Sequence, residues 1–177
     1  MLVAYTITKT TKNPLLANKF LFLVIMSSII PDIDVLAFRF GIAYGDLWGH
    51  RGLTHSLFFA FIWAIVLWLL LLRLPDYRHC LFLSKTSFTA ITILFLSTTS
   101  HGLLDAMTNG GLGVAFFSPF DTTRYFLPWQ PIQVSPIGVS AFFSAYGLRV
   151  ILSELIWIGI PCAIFLSIFK IKNRLKH

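Results

Sequence analysis

Residues 49–74 read GHRGLTHSLFFAFIWAIVLWLLLLRL, in which a group of histidine, arginine and hydroxyl side chains runs directly into an apolar segment. The apolar segment, residues 57–74, carries one charge, near its end, and approaches the ~20 residues that a helix needs to cross a bilayer. We therefore predict a membrane helix over 57–74. Ionisable groups are costly at membrane depth, so the histidines and the arginine of residues 49–56 are candidates for a functional site.

The composition of the whole chain excludes a soluble protein. Hydrophobic residues make up 56% of the 177 residues, charged residues make up 12%, and the mean hydropathy is +0.79, whereas soluble domains carry about 25% charged residues. We predict a single membrane-embedded domain, residues 1–177, with an all-α fold. Cys80 lies in a basic loop and Cys162 in an apolar helix, so neither a disulfide nor a thiolate metal site is expected.

Hydropathy indicates about four transmembrane helices, over residues 15–30, 57–74, 87–107 and 150–169. Pro31 ends the first, which places Asp32 and Asp34 at or just inside an interface. The N-terminus, MLVAYTITKTTKNP, is polar and rich in threonine, so neither a span nor a cleavable signal is expected there. Glycine, proline and aromatic residues in segment 108–149 predict an irregular lid that reaches the lipid headgroups.

The basic residues predict the orientation in the inner (plasma) membrane. If both termini are cytoplasmic, four spans place ten basic residues inside: Lys9, Lys12, Lys19, Arg73, Arg78, Lys85, Lys170, Lys172, Arg174 and Lys176. The remaining four are Arg39, Arg51, Arg124 and Arg149. The net charge of +7 therefore indicates topology and attraction to membrane lipids, and no nucleic-acid partner is expected.

Carboxylates and histidines gather at the predicted extracytoplasmic face. Six of the seven acidic residues lie in or beside that half of the chain, together with His50, His55 and His101. His101 and Asp105 are four residues apart and share a helix face, while Asp32 and Asp34 can point together in an extended turn. Imidazole nitrogen and carboxylate oxygen suit zinc, manganese or iron. We therefore predict a divalent metal site at this face, with zinc as the preferred ion.

His50 and His55 are five residues apart, which would turn them ~140° from each other on a regular helix. We therefore place both on a loop, with Gly49 and Gly52 permitting the turn and Thr54 as a candidate N-cap. Loop-borne and helix-borne ligands that converge can hold one or two ions and leave a position for water.

Four strings occur in the order PDIDV, GHRGLTHS, SHGLLDAMTNGG and VSPIG, and a helix with Glu154 follows. Over roughly residues 20–160 this combination resembles the LexA-regulated, membrane-bound metal-dependent hydrolases, the YdjM-like family. More distantly, it is similar to zinc-dependent phospholipases C, which split phosphodiesters. The resemblance implies metal-dependent hydrolysis, and the positions that match the family's metal ligands are Asp32, Asp34, His50, His55, His101 and Asp105. No histidine precedes Pro31, which departs from the family pattern and implies a later chain start or one ligand fewer.

We expect hydrolysis of a phosphoester in a lipid or lipid-like substrate at the membrane interface. The residues expected to hold one ion are Asp34, His55, His101 and Asp105, and those for a second ion are Asp32 and His50. Such an ion lowers the pKa of bound water and polarises a phosphoryl oxygen. The expected proton acceptor is Asp32, with Asp46 as the second choice. The expected phosphate-binding residues are Arg51 and Arg124.

Other interpretations stay open. Arg51 could equally anchor the chain at the interface, and Glu154 is expected to pair with an arginine. The protein could also be a non-enzymatic membrane protein that retains a metal for stability. A metal or proton carrier is less favoured, because it should show polar residues across the full membrane depth.

Overall fold

The computed structural model describes residues 1–11, 13, 18–136 and 143–175. Its helices are α1 (Leu2–Lys9), α2 (Asn18–Ser27), α3 (Leu57–Leu71), α4 (Lys85–Ala106) and α5 (Ala145–Arg174), with 3-10 helices at Ile30–Phe40 and Leu53–His55. Within α5, Leu155–Gly159 form a π-helical turn. The described residues contain no strand, only isolated bridges that pair Thr108 with Ile132 and Val114 with Tyr125. The predicted all-α class is confirmed for this part of the chain.

Two helices, α4 and α5, are long and apolar enough to cross a membrane, and they correspond to the predicted spans 87–107 and 150–169. A third candidate is the bent pair Lys19–Ser27 and Ile30–Phe40, whose axes differ by 42°. α3 is apolar, but its 15 residues reach about 22 Å against ~30 Å of hydrocarbon. Residues 15–17 of the first predicted span and residues 137–142 of the predicted lid lie outside the described part.

The N-terminal residues form a helix that the sequence reasoning missed. α1 packs against α2, α4 and α5, and it buries Ala4, Thr6 and Thr8. The Thr6 hydroxyl donates to Leu2 O at 2.9 Å, and the Thr8 hydroxyl donates to Ala4 O at 2.9 Å. The threonines therefore satisfy their own polar groups inside the helix, which lets a polar-looking segment enter the core.

The bundle has two chemically different ends. α2 ends, α3 begins and α4 ends at the same end, which we call the site end. Met1 lines a cavity with Asp32 at the site end, whereas Lys9 lies beside Lys170 at the other end. α1 therefore runs parallel to α5, and Met1 lies at the opposite end from the last turn of α5. This arrangement differs from the predicted placement of both termini on one face.

Hydroxyl contacts tie α2 to α4 beside the apolar core. Phe20 and Trp68 are fully buried and meet edge to face, with ring centroids 6.3 Å apart. Ser27 Oγ and Thr98 Oγ1 are 2.8 Å apart, and Ser97 Oγ donates to Val24 O at 2.9 Å. These contacts set the register of α4 against α2, so the last turns of α4 face the turn that follows α2.

α3 begins at a different cap from the one predicted. Ser56 Oγ accepts a hydrogen bond from Phe59 N at 3.0 Å, which is an N-cap interaction. Thr54, the candidate cap, instead donates its hydroxyl to Asp34 Oδ2 at 2.6 Å. The prediction was wrong by two residues because Leu53–His55 form their own short helix before α3 starts.

Candidate metal centre

Three segments bring four candidate ligands together at the site end. Asp32 lies in the first turn of the 3-10 helix after α2, and His55 ends the short helix before α3. His101 and Asp105 lie one turn apart near the end of α4, on a common face as their spacing predicts. One ligand atom from each of the four residues lies within 4.8 Å of the others.

Imidazole nitrogens and carboxylate oxygens alternate around this space. His101 Nε2 is 3.1 Å from Asp32 Oδ1 and 3.7 Å from Asp105 Oδ2. His55 Nε2 is 3.1 Å from Asp105 Oδ2 and 3.7 Å from Asp32 Oδ1. We call Asp32, His55, His101 and Asp105 the four-ligand group. Two nitrogens and two oxygens at such distances are a donor set that suits zinc, manganese or iron.

Two buried atoms of the four-ligand group lie 3.1 Å apart as an ion pair but form no hydrogen bond. They are His55 Nε2 and Asp105 Oδ2. A buried polar atom that forms no hydrogen bond costs about 1–3 kcal/mol, and an ion or a water between two such atoms removes that cost. A divalent cation between them would satisfy both, so the residues present fit a metal ion.

Asp34 and His50 form a second, buried group with His55. His50 Nδ1 donates to Asp34 Oδ1 at 2.7 Å, and Arg51 N and Thr54 Oγ1 donate to Asp34 Oδ2 at 3.1 and 2.6 Å. The same Oδ2 lies 3.1 Å from His55 Nδ1. His55 thus faces Asp34 through Nδ1 and the four-ligand group through Nε2. Carboxylates in this position orient imidazoles that bind metal.

The structure groups the aspartates differently from the sequence-based expectation, which placed Asp34 with His101 and Asp105 around one ion. Asp32 occupies that place, and Asp34 contacts His50 instead. The reason is the 3-10 conformation of Ile30–Phe40. At three residues per turn, positions 32 and 34 lie ~120° apart around the helix, so they do not point together as an extended turn would allow.

The charge around His55 favours a cation. Burial lowers the pKa of this imidazole, but its contacts with Asp105, Asp32 and Asp34 outweigh burial and raise the pKa from 6.5 to about 10. In the metal-free protein a proton therefore occupies His55 at neutral pH. A divalent ion can take the place of that proton, because imidazole binds metals in its neutral form.

Both arginines predicted to bind substrate phosphate contact protein groups. Arg51 is 3% exposed, its Nε is 3.2 Å from Asp105 Oδ2, and its Nη1 donates to Gly110 O at 2.9 Å. Arg124 donates to the backbone oxygens of His50 and Tyr44 at 2.9 and 3.0 Å. The burial of Arg51 argues against its alternative role as an interface anchor. Arg51 borders the four-ligand group, and Arg124 holds the loop that carries His50.

Close backbone packing brings the GHRGLTHS loop to Asp34. A Cβ on Gly49 would overlap the carbonyl oxygens of Ala43 and Tyr44, and a Cβ on Gly52 would overlap that of Leu47. Between them, Arg51 adopts a left-handed backbone with φ of 61°. The two glycines therefore permit the turn, as the sequence predicts.

The segment after α4 packs against the end of α4 and the GHRGLTHS loop, and backbone hydrogen bonds hold it there. Leu127 N donates to Ala106 O at 2.8 Å, and Ala115 N donates to Arg51 O at 3.0 Å. α5 begins at Ala145, so the irregular part is shorter than the predicted lid over 108–149. Phe120 is 83% exposed, and its contact with the headgroups stays a prediction.

Two further carboxylates occupy different places. Asp46 is exposed, accepts a hydrogen bond from Ala43 N at 3.0 Å and belongs to neither His/Asp group. Glu154 lines the same cavity as Asp32 and Asp105. Among the described residues it forms no ion pair with an arginine, contrary to expectation. Its place at the centre was missed because hydropathy does not reveal how α5 is rotated.

A cavity of about 360 Å³ lies beside the centre, between α1, α4 and α5. Its charged lining is Asp32, His101, Asp105 and Glu154. Its apolar lining is Leu2, Val3, Ile29, Leu104, Ile132 and Ile158. A concave site with apolar walls and a few convergent polar groups is typical of small-molecule binding.

The comparisons with known proteins agree with a membrane protein. The family model described as "YdjM inner membrane protein" matches residues 1–175. The chain is 42% identical over 148 residues to "Inner membrane protein YbcI" of Escherichia coli (strain K12), which covers 81% of this chain and 78% of that protein. No solved structure matches the chain. A match over almost the whole length, together with the apolar helices, shows that the chain belongs to the YdjM inner membrane protein family.

Proposed function

We propose that the protein is a membrane-bound, metal-dependent hydrolase that cleaves a phosphoester of a lipid or lipid-like substrate. The observation that carries this proposal is the convergence of four ligand atoms from Asp32, His55, His101 and Asp105 within 4.8 Å. His55 Nε2 and Asp105 Oδ2 face each other at 3.1 Å without forming a hydrogen bond, which supports an ion between them.

The residues of the centre have separate tasks in this proposal. A divalent ion held there, zinc by preference, would lower the pKa of bound water and polarise a phosphoryl oxygen. Asp32 is 44% exposed at its side chain and faces His55 and His101 through Oδ1, so Oδ1 would hold the ion and Oδ2 would accept a proton from water. Asp34 keeps His55 oriented through Nδ1. Arg51 offsets the negative charge around Asp105 and borders the four-ligand group, so it would also offset charge on a phosphoryl group held there.

The cavity supports a lipid-like substrate. Its walls come from α1, α4 and α5, and its apolar lining adjoins the four-ligand group. An acyl or other apolar chain can lie against these walls while the polar group meets the centre. Glu154 faces the same cavity from α5 and is positioned to contact the substrate opposite Asp32.

The test uses full-length protein in a mild detergent. Metal content is measured first, and hydrolysis of a panel of phospholipids and acyl esters follows. His101→Ala should lose metal and activity, while the neighbouring Ser100→Ala, whose hydroxyl donates only to Ser97 O in its own helix, should keep both. Unchanged metal content in His101→Ala would overturn the metal centre. No hydrolysis by the metal-loaded parent would overturn the enzyme and favour a metal-stabilised membrane protein.

We also propose that the chain crosses the inner membrane more than once, with the site end extracytoplasmic and the last turn of α5 on the cytoplasmic side. The support is the distribution of charge, because the lysines at the other end, such as Lys9 and Lys170, favour the cytoplasm. Single cysteines placed at Phe120 and at Lys172, after Cys80 and Cys162 are replaced by serine, test this orientation. An impermeant thiol reagent should label position 120 in intact spheroplasts and position 172 only after lysis. The reverse pattern would invert the topology.

A further inference from the structure

A groove lined by basic residues lies at the end of the bundle opposite the metal centre. Lys9 of α1 and Lys170 and Arg174 of α5 line one open groove of about 600 Å³. We call it the basic groove. Its remaining lining combines the polar Tyr5 and Asn173 with the apolar Leu166 and Phe169.

In the described part of the chain, the charges of the basic groove have no carboxylate partner. No ion pair joins Lys9, Lys170 or Arg174 to a carboxylate in the described part of the chain. Asp76 is the single acidic residue that the sequence places on this side, and it pairs with Lys19 at 2.6 Å. Three neighbouring cations without an acidic partner repel one another, so they favour an anion supplied from outside.

The apolar part of the groove lining indicates which kind of anion fits. Leu166 and Phe169 precede Lys170 on α5, so the apolar wall continues from the cations toward the membrane interior. A small hydrated anion would leave this wall exposed. A phospholipid satisfies both parts, because its phosphate meets the cations and its acyl chain covers the apolar wall.

We propose that the basic groove binds the headgroup of an anionic phospholipid through Lys9, Lys170 and Arg174. The binding is independent of the chemistry at the metal centre, which lies at the other end of the bundle. The lipid bridges α1 to α5 and thereby holds the helix that forms one wall of the site cavity.

The helix itself offers a matched control. Lys172 lies two residues from Lys170 on α5, but it lines a different, shallow groove with Ile168, Ile171 and Leu175. Lys170→Gln and Lys172→Gln remove the same charge from the same helix turn. Only the first removes a cation of the basic groove.

The experiment counts lipid molecules that stay bound to the full-length protein in native mass spectrometry during titration with phosphatidylglycerol. Each cation near the headgroup contributes about a factor of five in lipid affinity, so Lys170→Gln should weaken binding of the first lipid about five-fold. The triple variant Lys9→Gln/Lys170→Gln/Arg174→Gln should weaken it about a hundred-fold. Lys172→Gln should change it less than two-fold. Phosphatidylcholine should bind much more weakly, and inorganic phosphate should not displace the bound phosphatidylglycerol.

Equal losses in Lys170→Gln and Lys172→Gln would show attraction to net charge alone and would overturn the site. Equal binding of phosphatidylcholine, or displacement of the lipid by inorganic phosphate, would overturn the lipid assignment. Circular dichroism of each variant separates lost binding from lost folding, and both side chains are exposed to solvent, so the helix content should not change.

Discussion

The substitution Asp34→Asn distinguishes two roles of this carboxylate: it either orients His55 or binds the metal itself. In the structure Asp34 is 2% exposed at its side chain and accepts hydrogen bonds from His50, Arg51 N and Thr54. It contacts the four-ligand group only through Nδ1 of His55. We therefore expect Asp34→Asn to weaken metal binding without abolishing it.

The magnitude follows from the contacts. Loss of a carboxylate that orients a metal-binding imidazole costs about 10–100-fold in affinity, or about 1.4–2.7 kcal/mol. Asparagine also has one carbonyl oxygen where the carboxylate has two, so it cannot accept all three hydrogen bonds. Each buried, charge-assisted bond that is lost or weakened costs about 1–2 kcal/mol, which gives a destabilisation of about 2–4 kcal/mol in the metal-free protein.

Competition with a chromophoric chelator measures the metal affinity, and thermal unfolding in detergent measures the stability. Asp46→Asn is the matched control, because Asp46 is exposed and accepts one backbone hydrogen bond outside both groups. It should leave the metal affinity unchanged. If Asp34→Asn lost all metal, as His101→Ala should, and kept its stability, Asp34 would be a direct ligand and the orienting role would be refuted.

Further outcomes follow from the same geometry. Arg51→Lys should destabilise the protein by about 1–3 kcal/mol, because one ammonium cannot contact both Asp105 and the Gly110 carbonyl as the guanidinium does. Unfolding in detergent measures this loss, and an unchanged midpoint would contradict it. In metal-free protein, the raised pKa of His55 contributes stability that is present below 6.5 and is lost as pH rises through about 10. The melting temperature should therefore fall over that range, and His55→Gln should reduce the fall; an identical fall in the variant would argue against the charge on His55. Gly49→Ala should cost about 1–3 kcal/mol through overlap with two carbonyl groups, whereas Gly45→Ala, with open space around the added methyl, should be near neutral in the same unfolding assay. Glu154→Gln should keep metal content and reduce hydrolysis; full activity on the substrate identified in the panel would remove Glu154 from the substrate cavity.

Local patterns in the sequence were sufficient for the membrane character and for the list of candidate ligands. A run of apolar residues is stable in lipid wherever it occurs in the chain, so α4 and α5 are visible from hydropathy alone. The i, i+4 relation of His101 and Asp105 is a property of one helix and needs no tertiary contact. The glycines of the GHRGLTHS loop likewise signal a tight turn from their residue type alone.

Other features depend on contacts between distant segments, which local patterns do not contain. α1 looks polar by composition, but it is buried because its threonines bond their own backbone while α2, α4 and α5 supply the packing surface. The 3-10 conformation after Pro31 turns Asp32 toward α4 and Asp34 toward His50, and no hydropathy pattern distinguishes these two directions.

The sequence by itself determined which side chains are available for chemistry and that they gather near one end of the membrane helices. Only the tertiary structure decided which atom faces which. Asp32 joins His55, His101 and Asp105, while Asp34 lies behind His55. The physical reason is that hydropathy reports the free energy of placing a whole segment in lipid. That free energy does not change when the segment rotates about its own axis. A ligand set depends on that rotation, and close packing between helices and loops determines it.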